Sequence, residues 1–254
     1  MRNYATPTVM NCLLVDNTAT SGGAVCAVSS TATFEQVTLA NNAASALGGV
    51  AYVMSSSLSW LNCIVWGNTS PTGATAYLTS SSTAALDYCD VQGGASGFYL
   101  DGAGNSYTVS TGCYDMDPLF ADAANGDYHL QSAAGRWNET TGTWAYDGQS
   151  SPALDTVHPA QGIGSEIPDT GNLRKNLGAY GGTAQASRTP LNWSVKCDVN
   201  NDGTADLAEW SLLAGQWQQT GSDLVSDYEG NGSVTITDLL LLCEDWLGAT
   251  GWAQ

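Results

Sequence analysis

Asn11-Cys12-Leu13-Leu14-Val15-Asp16-Asn17 returns along the chain as Gln36-Val37-Thr38-Leu39-Ala40-Asn41-Asn42 and as Asn62-Cys63-Ile64-Val65-Trp66-Gly67-Asn68. A looser copy runs from Cys89 to Gly94. The second position reads Cys12, Val37, Cys63, Cys89, and the fourth Leu14, Leu39, Val65, Val91. The last reads Asn17, Asn42, Asn68, Gly94, and both it and the Cys-to-Val series step by 25, 26 and 26 residues. Gly22-Gly23, Gly48-Gly49 and Gly73 follow each closing Asn. Periods in this range mark solenoids, and short β-branched runs broken by Gly and Asn make each coil from strands. One coil cannot bury its apolar face alone. Stacking coils at about 4.8 Å does so, placing like residues above like.

These N-C-x-L/V-x-x-N units with their G-G-A turns are similar to polymorphic outer-membrane protein repeats, over residues 5–95. The resemblance implies a mainly β chain, a right-handed parallel β-helix over residues 1–114. The Cys and Leu/Val positions would face inward, and Asn17, Asn42 and Asn68 would form an amide ladder at a corner. In-register parallel strands aim Cys63 and Cys89 the same way, so free stacked thiols are expected rather than a disulfide.

Residues 115–190 break the repeat. They carry Asp117-Pro118-Leu119-Phe120, Gly126-Asp127-Tyr128-His129-Leu130, Ser151-Pro152-Ala153-Leu154-Asp155 and Gly178-Ala179-Tyr180. The segment resembles the choice-of-anchor Q domain, with departures at Thr156-Val157 and Gly181. Its aromatics suit a cap over the apolar end of the coils; a sugar-binding patch on Trp137 and Trp144 is the second reading.

Within residues 191–254 one twelve-residue acidic loop occurs twice, offset by 29. Asp198-Val199-Asn200-Asn201-Asp202-Gly203-Thr204-Ala205-Asp206-Leu207-Ala208-Glu209 is matched by Asp227-Tyr228-Glu229-Gly230-Asn231-Gly232-Ser233-Val234-Thr235-Ile236-Thr237-Asp238. Oxygen side chains stand at positions 1, 3, 5 and 12, with Gly at 6 for the sharp turn, as a hard cation with six to eight oxygen ligands requires. The offset continues through Leu212 and Leu241, Leu213 and Leu242, Trp217 and Trp246.

This duplication resembles a type I dockerin over residues 194–250, a small EF-hand-like α-helical module that plugs a secreted protein into a cohesin. The resemblance implies two Ca2+ ions. Asp198, Asn200, Asp202, the Thr204 carbonyl and Glu209 would hold the first, and Asp227, Glu229, Asn231, the Ser233 carbonyl and Asp238 the second. Asp206 and Thr235 would act through water. The partner-reading positions are Leu207, Ala208, Ile236 and Thr237, of which Leu207 and Ile236 could equally be core. Each Leu-Leu-x3-Trp stretch would lay apolar residues on one helical face. A solvated acidic turn, or paired EF-hands unrelated to cohesin, are the alternatives.

The formal charge of the 254-residue chain is −18, distributed as −4, −5 and −9 over residues 1–114, 115–190 and 191–254. No Lys or Arg stands between Arg2 and Arg136, so nucleic acid is excluded as a partner for want of a basic patch. Seven Cys and two His show no zinc spacing. No 18-residue apolar run spans a membrane, and no signal peptide is present. The calcium loops point to an extracellular or cell-surface protein, and the start inside a repeat suggests a truncated chain or an internal start codon. The coil acids are Asp16, Glu35, Asp87, Asp90 and Asp101. Asp16 stacks on Asn41 and Asp90 on Ile64, while alternation puts Asp87 and Asp90 on opposite faces. Paired carboxylates for glycan hydrolysis, or an Arg/Lys base for lyase chemistry, are therefore not expected in these coils. Two readings stand: calcium-dependent attachment of a β-helix to a cohesin, and the C-terminal part of a polysaccharide lyase or glycoside hydrolase. A polysaccharide is the second partner class.

Overall fold

The computed structural model describes residues 4–168 and 171–253; Arg2 lies outside them. Two compact units divide the chain. The first runs to Pro118 and takes in Leu177–Ala179, and the second comprises Leu119–Asn176 and Tyr180 onward.

The first unit is a parallel β-helix. Its largest sheet stacks Thr8–Val15, Thr31–Ala40, Ser57–Leu61, Thr83–Asp87 and Ser106–Val109, all parallel. A second face stacks Val25–Val28, Ala51–Met54, Ala76–Thr79 and Phe98–Asp101. Cys12 lies opposite Val37, Leu39 opposite Val65 and Asp90 opposite Ile64, the register that the repeat predicts.

Each coil bends where the sequence repeats its amide. Asn11, Gln36, Asn62 and Tyr88 all take left-handed backbone, with φ between 47° and 55°, a conformation that Asn tolerates best among residues with a side chain. The bend resets side-chain alternation. Phe34 and Val37 are three residues apart, yet both sit in the core; an unbroken strand would turn one of them outward.

That bend also corrects the expected placement of two acids. Leu86, Cys89 and Val91 all belong to the core cluster. The bend at Tyr88 therefore leaves Asp87 and Asp90 both pointing away from the core, not to opposite faces. Asp90 is nevertheless fully buried. Its Oδ1 accepts the Met116 N–H at 3.1 Å, while its Oδ2 has no hydrogen-bond partner. Burial, with the charges of Asp115 and Asp117, pushes this carboxyl well above the usual carboxylate range.

A raised carboxyl binds its proton more tightly folded than unfolded. Stability is then greatest below the unfolded value and falls as pH rises toward the folded one, by about 1.4 kcal/mol per unit of separation. Asp90→Asn is accordingly expected to stabilise the solenoid at pH 8, with the gain vanishing by about pH 4. Urea midpoints at the two pH values test this; an equal effect at both would contradict the buried-proton account.

Three columns of like residues run up the stacked coils. Asn17 Nδ2 donates to Asn42 Oδ1 at 2.9 Å and Asn42 Nδ2 to Asn68 Oδ1 at 3.0 Å, forming the expected amide ladder. A serine column, which sequence reading missed, runs alongside: Ser30 N–H to Ser56 Oγ, and Ser56 N–H to Ser82 Oγ. The sulfurs form the third: Cys63 N–H donates to Cys89 Sγ and Cys89 N–H to Cys113 Sγ. This carries the repeat one coil further, to Cys113. Cys63 and Cys89 are free thiols, with no disulfide between them.

Leu177–Ala179 lies along the amide corner of the coils. Asn11 donates to the Ala179 carbonyl and Gln36 to the Gly178 carbonyl, and the Ala179 N–H donates to Thr38 Oγ1. A Cβ on Gly178 would stand 2.6 Å from Thr38 Oγ1, so only glycine permits this approach.

The second unit begins with little regular structure. Phe120–Asp122 pairs with Asp127–Leu130, and Arg136–Asn138 with Thr143–Ala145. Buried carboxylates organise the rest. Asp155 accepts from Leu173 N–H, Thr189 Oγ1 and Ser194 Oγ, and Glu166 from Asn176 N–H, Gly182 N–H and Asn172 Nδ2. Its two α-helices are α1, Leu207–Gln216, and α2, Ile236–Glu244. Among the described residues no helix is long and apolar enough to cross a membrane.

Candidate metal centre

The two acidic loops close through the same main turn bonds. Asp198, at position 1, accepts the Asp202 N–H on Oδ1 at 3.2 Å and the Gly203 N–H on Oδ2 at 3.1 Å. Asp227 accepts the Asn231 N–H at 3.1 Å and the Gly232 N–H at 2.6 Å. Position 5 turns back on position 7 in both: Asp202 Oδ1 accepts Thr204 N–H and Oγ1, and Asn231 Oδ1 accepts Ser233 N–H and Oγ. Gly203 and Gly232, at position 6, have φ of 100° and 84°, which a side chain would resist.

Positions 9 and 12 serve the helices. Asp206 caps α1 by accepting the Ala208 N–H, and Glu209 Oε2 accepts the Asp206 N–H at 2.8 Å. Thr235 and Asp238 repeat this capping box on α2. The reciprocal bonds explain why each helix starts where it does. They also engage the Asp206 and Thr235 side chains in helix capping.

The loops share one small core. Val199, Ala205 and Leu213 pack with Tyr228, Val234 and Leu242, their equivalents 29 residues on. The chain leaving each helix returns to the other loop: Gln218 N–H donates to Val234 O, and Leu247 N–H to Ala205 O. The tryptophans depart from expectation. Trp217 and Trp246 are 40% and 41% exposed, outside that core, because α1 already ends at Gln216 and α2 at Glu244.

The electrostatics suit a cation. Glu209 is fully buried, and its Oε1 has no hydrogen-bond donor. Burial pushes Glu209 up to about 7, with Asp202 and Asp198 adding repulsion. Burial likewise raises Asp198 to about 6, opposed by Arg174 and aided by Asp202. Such desolvated, mutually repelling oxygens are costly without a counter-charge. Among the described residues no three His, Cys, Asp or Glu side chains already converge as a metal cluster. The ligand sets expected from the sequence instead mix carboxylates with amide and carbonyl oxygens, the chemistry that a hard cation takes.

Leu207 and Ile236 lie on the surface, 70% and 58% exposed, with Thr237 exposed and Ala208 half-buried. Sequence reading missed their apolar neighbours Trp210 and Leu240, also exposed. Trp210, Leu239, Leu242, Cys243 and Trp246 line a shallow cavity of about 370 Å³. The signal was present, since these residues follow the loops in helical spacing. Elsewhere in this unit Trp137 and Trp144 face each other across their hairpin, edge to face at 5.7 Å, and Arg188 covers Trp144 at 4.3 Å.

A family described as disaggregatase related matches residues 90–157. The matched stretch runs from the Asp90 coil through the Ser151-Pro152-Ala153-Leu154-Asp155 motif and stops short of both loops. No curated protein and no solved structure matches the chain.

Proposed function

We propose that this chain is a secreted attachment protein whose residues 194–250 act as a calcium-dependent dockerin, joining a β-helix to a cohesin on a scaffold or cell surface. The observation that carries this reading is the paired loop geometry: two like hydrogen-bonded turns 29 residues apart, the first with a buried Glu209 oxygen that has no donor where Asp238 of the second accepts the Tyr228 N–H. Calcium would satisfy that oxygen. Exposed apolar residues stand beside each loop, Leu207 with Trp210 and Ile236 with Leu240, side chains of the kind that a protein partner covers.

The two faces differ chemically, Leu207-Ala208 on one and Ile236-Thr237 on the other. One of them is therefore expected to dominate docking. Capture of the full chain on immobilised cohesins in calcium and in chelator, with Ala208→Asp and Thr237→Asp variants, is the test. Binding should require calcium, and one variant should lose about tenfold or more in affinity while the other stays near wild type, a difference of about 1.4 kcal/mol. Equal loss from both would contradict a dominant face. Capture by no cohesin in calcium would remove the docking reading.

A further inference from the structure

Arg174, from the segment after the Ser151–Asp155 motif, is 4% exposed and reaches into the first loop. Its Nη1 donates to the Asp198 carbonyl at 2.9 Å, its Nη2 to Asn201 Oδ1, and its Nε to the Asp155 carbonyl at 2.7 Å. Asn201 answers by donating from Nδ2 to the Thr156 carbonyl at 2.9 Å. Asn201, Asp155 and Thr156 are all buried. One guanidinium and one amide thus bolt loop positions 1 and 4 onto residues 155–174.

Among the described residues the second loop has no such clasp. Its position 4 is Gly230, whose would-be Cβ meets nothing within 4 Å. Both position-4 residues are left-handed, Asn201 with φ 56° and Gly230 with φ 71°. The backbone therefore needs no amide there. Asn at position 4 of loop 1 has a different task, making two side-chain bonds outside the loop.

We infer that Asn201 and Arg174 are positioning residues that couple the first calcium site to the folding of residues 150–176, so that the two calcium sites are inequivalent. The inference rests on reading the loops as calcium sites. Coupling is reciprocal: whatever factor the clasp adds to calcium affinity at loop 1, calcium returns as stabilisation of the clasped segment. Loop 2 lacks this link and binds by its own residues.

Asn201→Gly gives loop 1 the residue loop 2 already has, keeping the left-handed backbone while deleting both external bonds. The full chain is titrated with calcium, the amide resonances of Gly203 and Gly232 reporting the two loops separately. Hydrogen exchange at the Leu173 amide, which donates to Asp155, reports the clasped segment. In the wild type calcium should bind both loops and slow exchange at Leu173. In the variant, affinity at Gly203 should fall about tenfold, within the usual range of coupling, with Gly232 unchanged. Calcium should then no longer protect Leu173. The unchanged second loop shows that the variant has folded; loss at both loops, or wild-type affinity and calcium-dependent protection in the variant, would overturn the coupling. A wild-type chain that binds no calcium would remove the calcium reading and this inference with it.

Discussion

Withdrawing calcium from the full chain is expected to melt helices α1 and α2 while leaving the β-helix folded. Among the described residues the shared core of the two loops gathers eight buried apolar side chains, among them Leu213, Tyr228 and Leu242. So few buried apolar side chains seldom hold a segment folded on hydrophobic burial alone. Against it stands the charge of residues 191–254, ten acids and one base, with Glu209 buried beside Asp198 and Asp202. Each bound Ca2+ would add two positive charges and relieve part of that repulsion. At free calcium a thousandfold above the dissociation constant, each site contributes about 4.1 kcal/mol, so two sites supply most of what a small domain needs. Chelation should therefore remove the helical signal in far-UV circular dichroism and leave the β signal. Asp198→Ala and Asp227→Ala, each deleting the carboxylate that ties positions 5 and 6, should each raise the calcium needed for folding by at least tenfold. Helicity indifferent to chelator would dispose of the calcium reading.

The parts that were legible in the sequence share one property: their partners recur at a fixed offset. The coils announced their register through the Cys and Leu/Val series, and the two loops their shared turn geometry through the 29-residue offset. What stayed hidden depends on unlike segments meeting. Thr38 and Asp90 point away from the core yet are buried. Thr38 is covered because Ala179, 141 residues away, donates to its hydroxyl, and Asp90 because the chain at Met116 turns back over it. The Arg174 clasp escaped detection for the same reason, since Arg174 lies outside any repeat and the amide of Asn201 is replaced by Gly230 at the matching position of the second loop. The left-handed bends were half visible: the amides at Asn11, Gln36 and Asn62 were aligned, but their backbone consequence, the reset of alternation, was not drawn. That omission misplaced Asp90. The Ser151–Asp155 motif was recognisable as a pattern, whereas its chemistry, one carboxylate gathering three donors, depends on Leu173, Thr189 and Ser194 arriving from elsewhere.

Replacing Trp60 should separate the two things a large aromatic does inside a solenoid. Its side chain is fully buried, between Phe34 at 6.4 Å and Phe98 at 6.2 Å. Trp60→Ala removes that area and leaves a cavity which the stacked backbones on either side cannot close, so a loss of about 3–5 kcal/mol is expected. Trp60→Phe is a different experiment. The indole Nε1 is buried with no hydrogen-bond partner, an unsatisfied donor that costs about 1–3 kcal/mol. Phe34 occupies the same register position one coil away, so the column already accommodates a phenyl ring. Relief of the donor offsets most of the lost area, and Trp60→Phe should cost less than about 1.5 kcal/mol. Urea midpoints of the full chain in calcium measure both. If the two variants lose equal stability, shape at this rung outweighs the buried N–H. If Trp60→Ala loses less than about 1 kcal/mol, the coils collapse around a cavity more readily than rigid stacking allows.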